Sequence, residues 1–119
     1  MLALEVHVNG KRRCVAGIAD DGAISAILSW VGRGRPERGL PKEEVHLHVG
    51  GLDSLKREHM DWLQQDLTAG DEVLVRVVDV RKVDAPLKGS RRPVDDSKRR
   101  QKAYVRRMAK QFGWQIQTR

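Results

Sequence analysis

The chain has 119 residues, of which 39% are hydrophobic and only 4% aromatic, which suits a single domain whose core rests mainly on aliphatic side chains. No apolar run approaches the roughly 18 residues of a membrane-spanning helix, and the N-terminus lacks a signal-peptide pattern, so we expect a cytoplasmic protein without a membrane partner. The one cysteine, Cys14, excludes an internal disulfide and a cysteine-based zinc finger.

The formal net charge is +7, and the excess is concentrated toward the C-terminal end. From Ala85 onward there are eleven basic and two acidic residues, a net charge of +9, which leaves −2 for the first 84 residues. This combination of a nearly neutral body and a cationic tail indicates an anionic partner.

In chain order, the first predicted element is a β-hairpin. Residues 2–8, LALEVHV, alternate as a half-buried strand does, and Asn9-Gly10 is a strong turn signal. A two-residue loop would mix apolar and charged side chains on one face. We therefore expect a three-residue loop with Gly10 as a left-handed bulge, which pairs Leu4 with Cys14. That register buries the apolar residues of the second strand, which are Cys14, Ala16 and Ile18.

The next predicted element is a short amphipathic helix. Asp20-Asp21-Gly22 offers an N-cap and two carboxylates, which interact favourably with the positive end of a helix dipole. Apolar residues follow at the i, i+3, i+4 and i+7 positions of one helical face, and Gly32 is placed to end the helix. This stripe consists of Ile24, Ile27, Leu28 and Val31.

A third strand and an ambiguous segment follow the Gly- and Pro-containing loop of residues 32–42. Residues 45–49, VHLHV, alternate as a strand that stops at Gly50-Gly51. Residues 54–68 fit a helical turn or two, although Trp62-Leu63 could equally lie in a short edge strand. We expect the helical form.

The most strand-like run is residues 72–80, EVLVRVVDV. Its valines at 73, 75 and 77 face one way, and Leu74, Val78 and Val80 face the other way, with only Arg76 breaking the second set. A strand of this kind is usually central and covered on both sides, so we predict that it lies in the middle of the sheet. The chain then divides into a body of residues 1–84, a linker of residues 85–94 and a C-terminal part of residues 95–119. That last part is predicted to form a basic helix and a short terminal strand, with an apolar stripe packed on residues 72–80: Val105, Met108, Ala109 and Phe112.

The order of hairpin, helix, strand, irregular segment and long strand over residues 2–82 resembles the β-grasp fold of ubiquitin-like proteins. The best local likeness is Gly39-Leu40-Pro41 leading through Glu43-Glu44 to VHLHVGG, which is similar to the Gly-Ile-Pro turn and third strand of that family. The resemblance implies an α+β fold, a β-grasp-like mixed sheet with one crossing helix, here followed by the C-terminal basic amphipathic helix. It implies that the first and last body strands run parallel at the centre. It also places His48 where the family carries the isoleucine of its recognition patch. The chain does not end in Gly-Gly, so we do not expect conjugation.

The predicted binding surface is formed by the cations of the C-terminal helix and of the linker before it. Most of them face away from the apolar stripe, so several could contact one phosphate backbone, and two aromatic side chains could stack on unpaired bases. A solvated face of a packed helix is the alternative reading of the same pattern. The predicted anion-binding residues are Arg91, Arg92, Arg99, Arg100, Lys102, Arg106, Arg107 and Lys110, with Tyr104 and Trp114 as the stacking residues.

No catalytic or metal-binding set emerges from the sequence. His46 and His48 share one side of a strand, but in the β-grasp arrangement His7 would lie two strands away, roughly 10 Å from them. Cys14 alternates into the core and has no histidine near it in sequence. We therefore predict a non-enzymatic binding module without a cofactor or metal, whose partner is nucleic acid. The alternative is an adaptor or inhibitor that docks on an acidic protein surface.

Overall fold

The computed structural model describes residues 1–35 and 38–94, and in this part of the chain all regular elements are β-strands. In chain order they are β1 Leu2–Val8, β2 Lys11–Ala16, β3 Gly22–Gly32, β4 Glu43–Asp53, β5 Glu58–Leu67, β6 Val73–Asp79 and β7 Arg92–Pro93. They form a three-stranded sheet in the order β2-β1-β6 and a four-stranded sheet in the order β3-β4-β5-β7, and every pairing is antiparallel. These residues include no helix that could cross a membrane.

One hydrophobic core lies between the two sheets. Its most deeply buried large side chains are Val6 of β1 and Leu47 and Val49 of β4. The burial of such aliphatic groups is the main favourable term in folding. The three-stranded sheet contributes Val6, Val8, Cys14 and Ala16, and the four-stranded sheet contributes Leu47, Val49, Met60, Trp62, Leu63 and Leu67.

The first hairpin is confirmed, but its loop is not the predicted one. Asn9 and Gly10 have φ of 53° and 78°, so they form a two-residue turn of the type that matches strand twist. The register still moves by one residue, because a bulge lies between Val6 and His7 rather than at Gly10. Val6 therefore opposes Cys14, and the burial of Cys14 and Ala16 is confirmed.

The predicted crossing helix is wrong, since residues 22–32 form β3. Over its whole length this strand pairs with β4, from Gly22 opposite Asp53 to Gly32 opposite Glu43. The segment fits both a helix and a strand. Its apolar residues occur at the spacing of one helical face, and they also occur at every second position. Isoleucine, valine and tryptophan favour strands, and eleven residues of pairing decide between the patterns. The alternating inner row is Ile24, Ala26, Leu28 and Trp30.

Two further expectations for the body are wrong. Residues 58–67 form β5, which lies between β4 and β7 and is neither helical nor at an edge. The strand β6 pairs with β1 as predicted, but the two are antiparallel and β6 lies at an edge, with Leu74 and Val77 exposed. The α+β class and the mixed β-grasp-like sheet are thus replaced by two antiparallel sheets, and the C-terminal basic helix lies outside the described residues.

After β6 the chain crosses from one sheet to the other and joins them through Asp84. The Asp84 side chain accepts a hydrogen bond from the Val15 amide at 2.8 Å, and its own amide donates to the Val15 carbonyl at 2.9 Å. The Trp62 indole Nε1 donates to the Asp84 carbonyl at 2.8 Å. The residues predicted as a linker, 85–94, then continue along β5 and include β7. This path brings Arg92 to the outer face of the four-stranded sheet.

Candidate functional site

A polar cluster occupies an open depression on the outer face of the four-stranded sheet. It is built on two histidines of β4 that lie two residues apart and therefore share a face. In the register with β5, His46 opposes Asp66 and His48 opposes Gln64. The depression is lined by His46, Leu47, His48, Asp61, Gln64, Gln65, Asp66 and Arg92.

A β-bulge in β5 places Asp61 in this cluster. Val49 opposes Leu63, but the next residue of β4, Gly50, opposes Asp61, so Trp62 is the extra residue of the bulge. Without the bulge, Asp61 would lie on the same face of β5 as Leu63 and would point into the core. The missing side chain of Gly50 provides the remaining space, because a Cβ there would lie 2.7 Å from the His48 ring and 3.0 Å from Asp61 Oδ1.

Asp61 is the buried centre of the cluster, with only 3% of its surface exposed. Its Oδ1 accepts a hydrogen bond from His48 Nε2 at 2.7 Å, and its Oδ2 accepts one from Arg92 Nη1 at 2.7 Å and a longer one from Gln64 Nε2 at 3.3 Å. Burial alone would raise the pKa of Asp61, but the hydrogen bonds and charges of Arg92 and His48 outweigh it and hold the pKa below its usual range. Asp61 is therefore a carboxylate that both partners stabilise in its charged form.

The backbone of Asp61 is held as firmly as its side chain. Its amide donates to Ser90 Oγ, and the Ser90 hydroxyl donates back to the Asp61 carbonyl, both at 3.2 Å. The Leu87 amide donates to the same carbonyl at 2.7 Å. Residues 85–94 thus dock against the bulge, and this docking positions Arg92.

His46 forms a second imidazole–carboxylate pair beside the first. Its Nδ1 lies 2.6 Å from Asp66 Oδ1 and its Nε2 lies 3.7 Å from Glu44 Oε2. Ser29 of β3 is the register partner of His46, but no hydrogen bond links its hydroxyl to the imidazole among the described residues. Serine, histidine and aspartate therefore lie in a row without forming the connected triad that activates a nucleophile. Each carboxylate of the depression thus has a basic partner, since Asp61 contacts His48 and Arg92 and Asp66 contacts His46.

Replacing Asp61 by asparagine is expected to lower the free energy of unfolding at neutral pH by about 1.5 to 3 kcal/mol, the usual range for hydrogen bonds to a charged group. Because the pKa of folded Asp61 lies below its ordinary 3.8, the stability from its charge is present above that pH. It is lost as the pH falls through the folded-state pKa, so wild type and variant should converge on acidification. Urea unfolding from neutral pH to about pH 3 measures this difference.

The matched control is Asp79→Asn, which removes a carboxylate that is 80% exposed and paired with the N-terminal amine at 3.0 Å. An exposed pair contributes little, so this variant should stay within about 1 kcal/mol of wild type. Equal losses for Asp61 and Asp79, or a difference that does not change with pH, would contradict the role assigned to the Asp61 carboxylate.

Of the ten predicted anion-binding residues, only Arg91 and Arg92 lie within the described part of the chain. Arg91 Nη1 lies 3.4 Å from Glu58 Oε2, and Arg92 pairs with Asp61. Both guanidinium groups are thus already engaged by carboxylates of the same chain. The remaining eight residues lie outside the described part, and their role stays a prediction.

The histidines do not converge as a metal site would require. His7 lies on β1 of the other sheet and contacts Glu5 Oε1 at 2.7 Å, whereas His46 and His48 share the outer face of β4. Within residues 1–35 and 38–94, no group of three or more His, Cys, Asp or Glu side chains could hold a metal ion. Cys14 is free and buried, and burial, with a smaller contribution from Asp84, raises its pKa to about 11.

The alternation of residues 45–49 predicts the shared face of His46 and His48, but no sequence pattern predicts that Asp61 joins them. The reason is that Asp61 reaches His48 only through a bulge, and it reaches Arg92 only through a pairing between distant parts of the chain. No local pattern in residues 58–67 indicates either event.

Comparison with protein-family models, with curated proteins and with solved structures finds no match to this chain. The resemblance to ubiquitin-like proteins is therefore not tested by these comparisons, although the mixed sheet that it implied is wrong.

Proposed function

We propose that the protein is a small non-enzymatic binding module that presents the cations of residues 95–119 to nucleic acid. The observation that carries the proposal is the distribution of charge along the sequence. Residues 95–119 contain eight of the 23 basic residues and two of the 16 acidic ones, a net charge of +6 out of the total of +7. A polyanion is the partner that such a segment favours.

The charge pairing within the body supports this assignment of the binding residues. Arg33 lies 2.7 Å from Glu44 and Arg76 lies 3.4 Å from Glu5, in addition to the pairs that engage Arg91 and Arg92. Arginines that are paired within their own chain contribute less to an external interaction. The proposal therefore uses Arg99, Arg100, Lys102, Arg106, Arg107 and Lys110, with Tyr104 and Trp114 as stacking residues.

The affinity for nucleic acid should come mainly from the release of counterions. If about six cations each displace one counterion from the phosphates of a duplex, the binding constant should fall roughly a thousandfold between about 50 and 200 mM salt, and by a smaller factor for a single strand. Tyr104 and Trp114 add a preference for unpaired bases, because stacking on an aromatic side chain needs an accessible base face. A cytoplasmic location belongs to the same proposal, and the single free cysteine is consistent with it.

A second candidate is a protein-interaction module, an adaptor or inhibitor that docks on an acidic protein surface. The observation that favours it is the apolar surface of β6, where Leu74, Val75 and Val77 are 50%, 42% and 66% exposed. Exposed apolar residues, in a chain that also carries a cationic segment, suit a protein partner of opposite charge.

The test is fluorescence anisotropy with a labelled single strand, a labelled duplex and a labelled poly-glutamate chain at about 50 mM salt. The proposed function predicts binding to at least one oligonucleotide, with the single strand preferred. If neither oligonucleotide binds, the nucleic-acid proposal is wrong, and binding to poly-glutamate alone would favour the acidic protein surface.

A further inference from the structure

The two sheets expose four edges within the described residues, and three of them carry features that prevent pairing with another chain. The strand β7 has two residues, one of which is Pro93. The strand β2 begins with three exposed cations, and the backbone of Val15 is covered by Asp84. The strand β6 has Arg76 at its centre. Short strands, proline, charge and cover are the known protections of sheet edges.

Among residues 1–35 and 38–94, nothing protects the edge strand β3 in any of these ways. It runs for eleven residues, GAISAILSWVG, without a charged residue or a proline. Four of its large apolar side chains are exposed: Ile27 at 47%, Leu28 at 60%, Trp30 at 65% and Val31 at 39%. A long apolar edge of this kind is a template for another strand.

Trp30 is exposed but held in one orientation. Its indole Nε1 donates to Glu43 Oε2 at 3.2 Å, and its ring lies over Gly32, where a Cβ atom would come within 2.3 Å of the ring. A fixed aromatic side chain loses little entropy on binding, which is the property of a good interface anchor.

We propose that β3 pairs antiparallel with β3 of a second copy of this chain, about a two-fold axis at Ile27, and so joins two four-stranded sheets into one continuous sheet. Ile27 is the central residue of Gly22–Gly32, so this register pairs all eleven residues. Two-fold interfaces require a surface that complements itself.

The sequence of β3 complements itself in this register. On the inner face, Trp30 of one copy opposes Ile24 of the other, and Leu28 opposes Ala26, so each large side chain meets a smaller one. On the outer face, Ser25 opposes Ser29, and Ile27 opposes its own copy. Pairs of this kind stabilise neighbouring strands.

The absence of charge on β3 favours a second copy over an acidic or basic partner. A charged partner strand would place its charges against an apolar row that offers no counter-charge. Self-pairing about Ile27 brings no two like charges together. The inference does not depend on the proposed nucleic-acid function, because it uses none of residues 95–119.

The first test measures the mass of the full chain by light scattering between about 1 and 100 μM, the range in which a micromolar interface assembles. Wild type should approach twice the mass of one chain. Ile27→Lys and Ile27→Glu should each remain monomeric, because like charges would meet at the axis, and should melt as cooperatively as wild type. An equimolar mixture of the two variants should recover the dimer.

The second test fixes the register by cross-linking. Under mild oxidation Ile27→Cys should form a disulfide-linked dimer, since opposed Cα atoms lie about 4.5 to 5.5 Å apart, within the disulfide range. The matched control Val31→Cys should not, because its two copies would lie about 27 Å apart. Cys14 does not compete, since it is 3% exposed.

A wild-type chain that stays monomeric throughout that range would overturn the proposal, whether the edge stays open or is covered by residues 95–119. A dimer that survives Ile27→Lys, or that cross-links at Val31→Cys but not at Ile27→Cys, would overturn it as well, because its interface or register would be different.

Discussion

Replacing Leu47 by alanine is expected to lower the free energy of unfolding by about 2 to 5 kcal/mol. Leu47 is 2% exposed and lies in the core between the two sheets, at the middle of β4. Shortening it removes buried methyl groups and leaves a cavity that neighbours on two hydrogen-bonded strands cannot easily fill. Chemical unfolding at two protein concentrations measures the loss and separates it from any effect of association.

The control for this prediction is the register partner of Leu47. Leu28 lies directly opposite on β3 and is 60% exposed in the single chain, so at a protein concentration too low for two copies to associate the same substitution should change stability by no more than about 0.5 kcal/mol. The two positions share residue type, sheet face and strand pair, and differ in burial. Equal losses at the two sites would mean that the core does not lie between the sheets as described.

Replacing Arg99, Arg100, Arg106 and Arg107 together by alanine is expected to weaken oligonucleotide binding more than a hundredfold at about 50 mM salt. These residues supply four of the six cations assigned to phosphate contacts. They lie outside the described residues, and none of the core contacts described above involves them, so we expect the unfolding transition of the body to stay unchanged. Anisotropy with the labelled single strand and a thermal melt of the same samples measure both quantities.

A second quadruple variant controls for net charge. Lys11, Arg12, Arg13 and Lys56 are exposed cations of the body, and replacing all four by alanine removes the same formal charge. If binding depends on residues 95–119, this variant should lose less than about tenfold, because cations that do not contact phosphate act only through screened attraction. A loss as large as that of the arginine variant would show that total charge, and not the C-terminal segment, determines the affinity.

The sequence correctly predicted the strands whose apolar residues fit the two-residue period of a strand and no helical period. Residues 2–8 and 45–49 alternate cleanly, and both are strands of the core. Residues 22–32 are apolar at helical and at strand spacing alike, so their local pattern could not decide, and pairing with β4 did. The run at residues 72–80 predicted a central strand, but β6 lies at an edge. Apolar residues on both faces of a strand therefore did not indicate its position in the sheet.

The candidate site was predictable only where it depends on neighbours in sequence. His46 and His48 share a face because side chains alternate along a strand, and the pattern VHLHV is enough to predict this. The contacts of Asp61 depend instead on a bulge, on the missing side chain of Gly50 and on the return of Arg92 along β5. These are features of long-range pairing, and residue patterns within a single segment do not encode them.

The salt dependence of oligonucleotide binding tests the central claim most directly. If about six cations of residues 95–119 contact phosphates, a plot of log Kobs for the labelled duplex against log salt concentration should have a slope near −5, falling to about −2 in the arginine variant. A slope near zero, or one that the four substitutions leave unchanged, would contradict the claim that this segment binds nucleic acid through its charge.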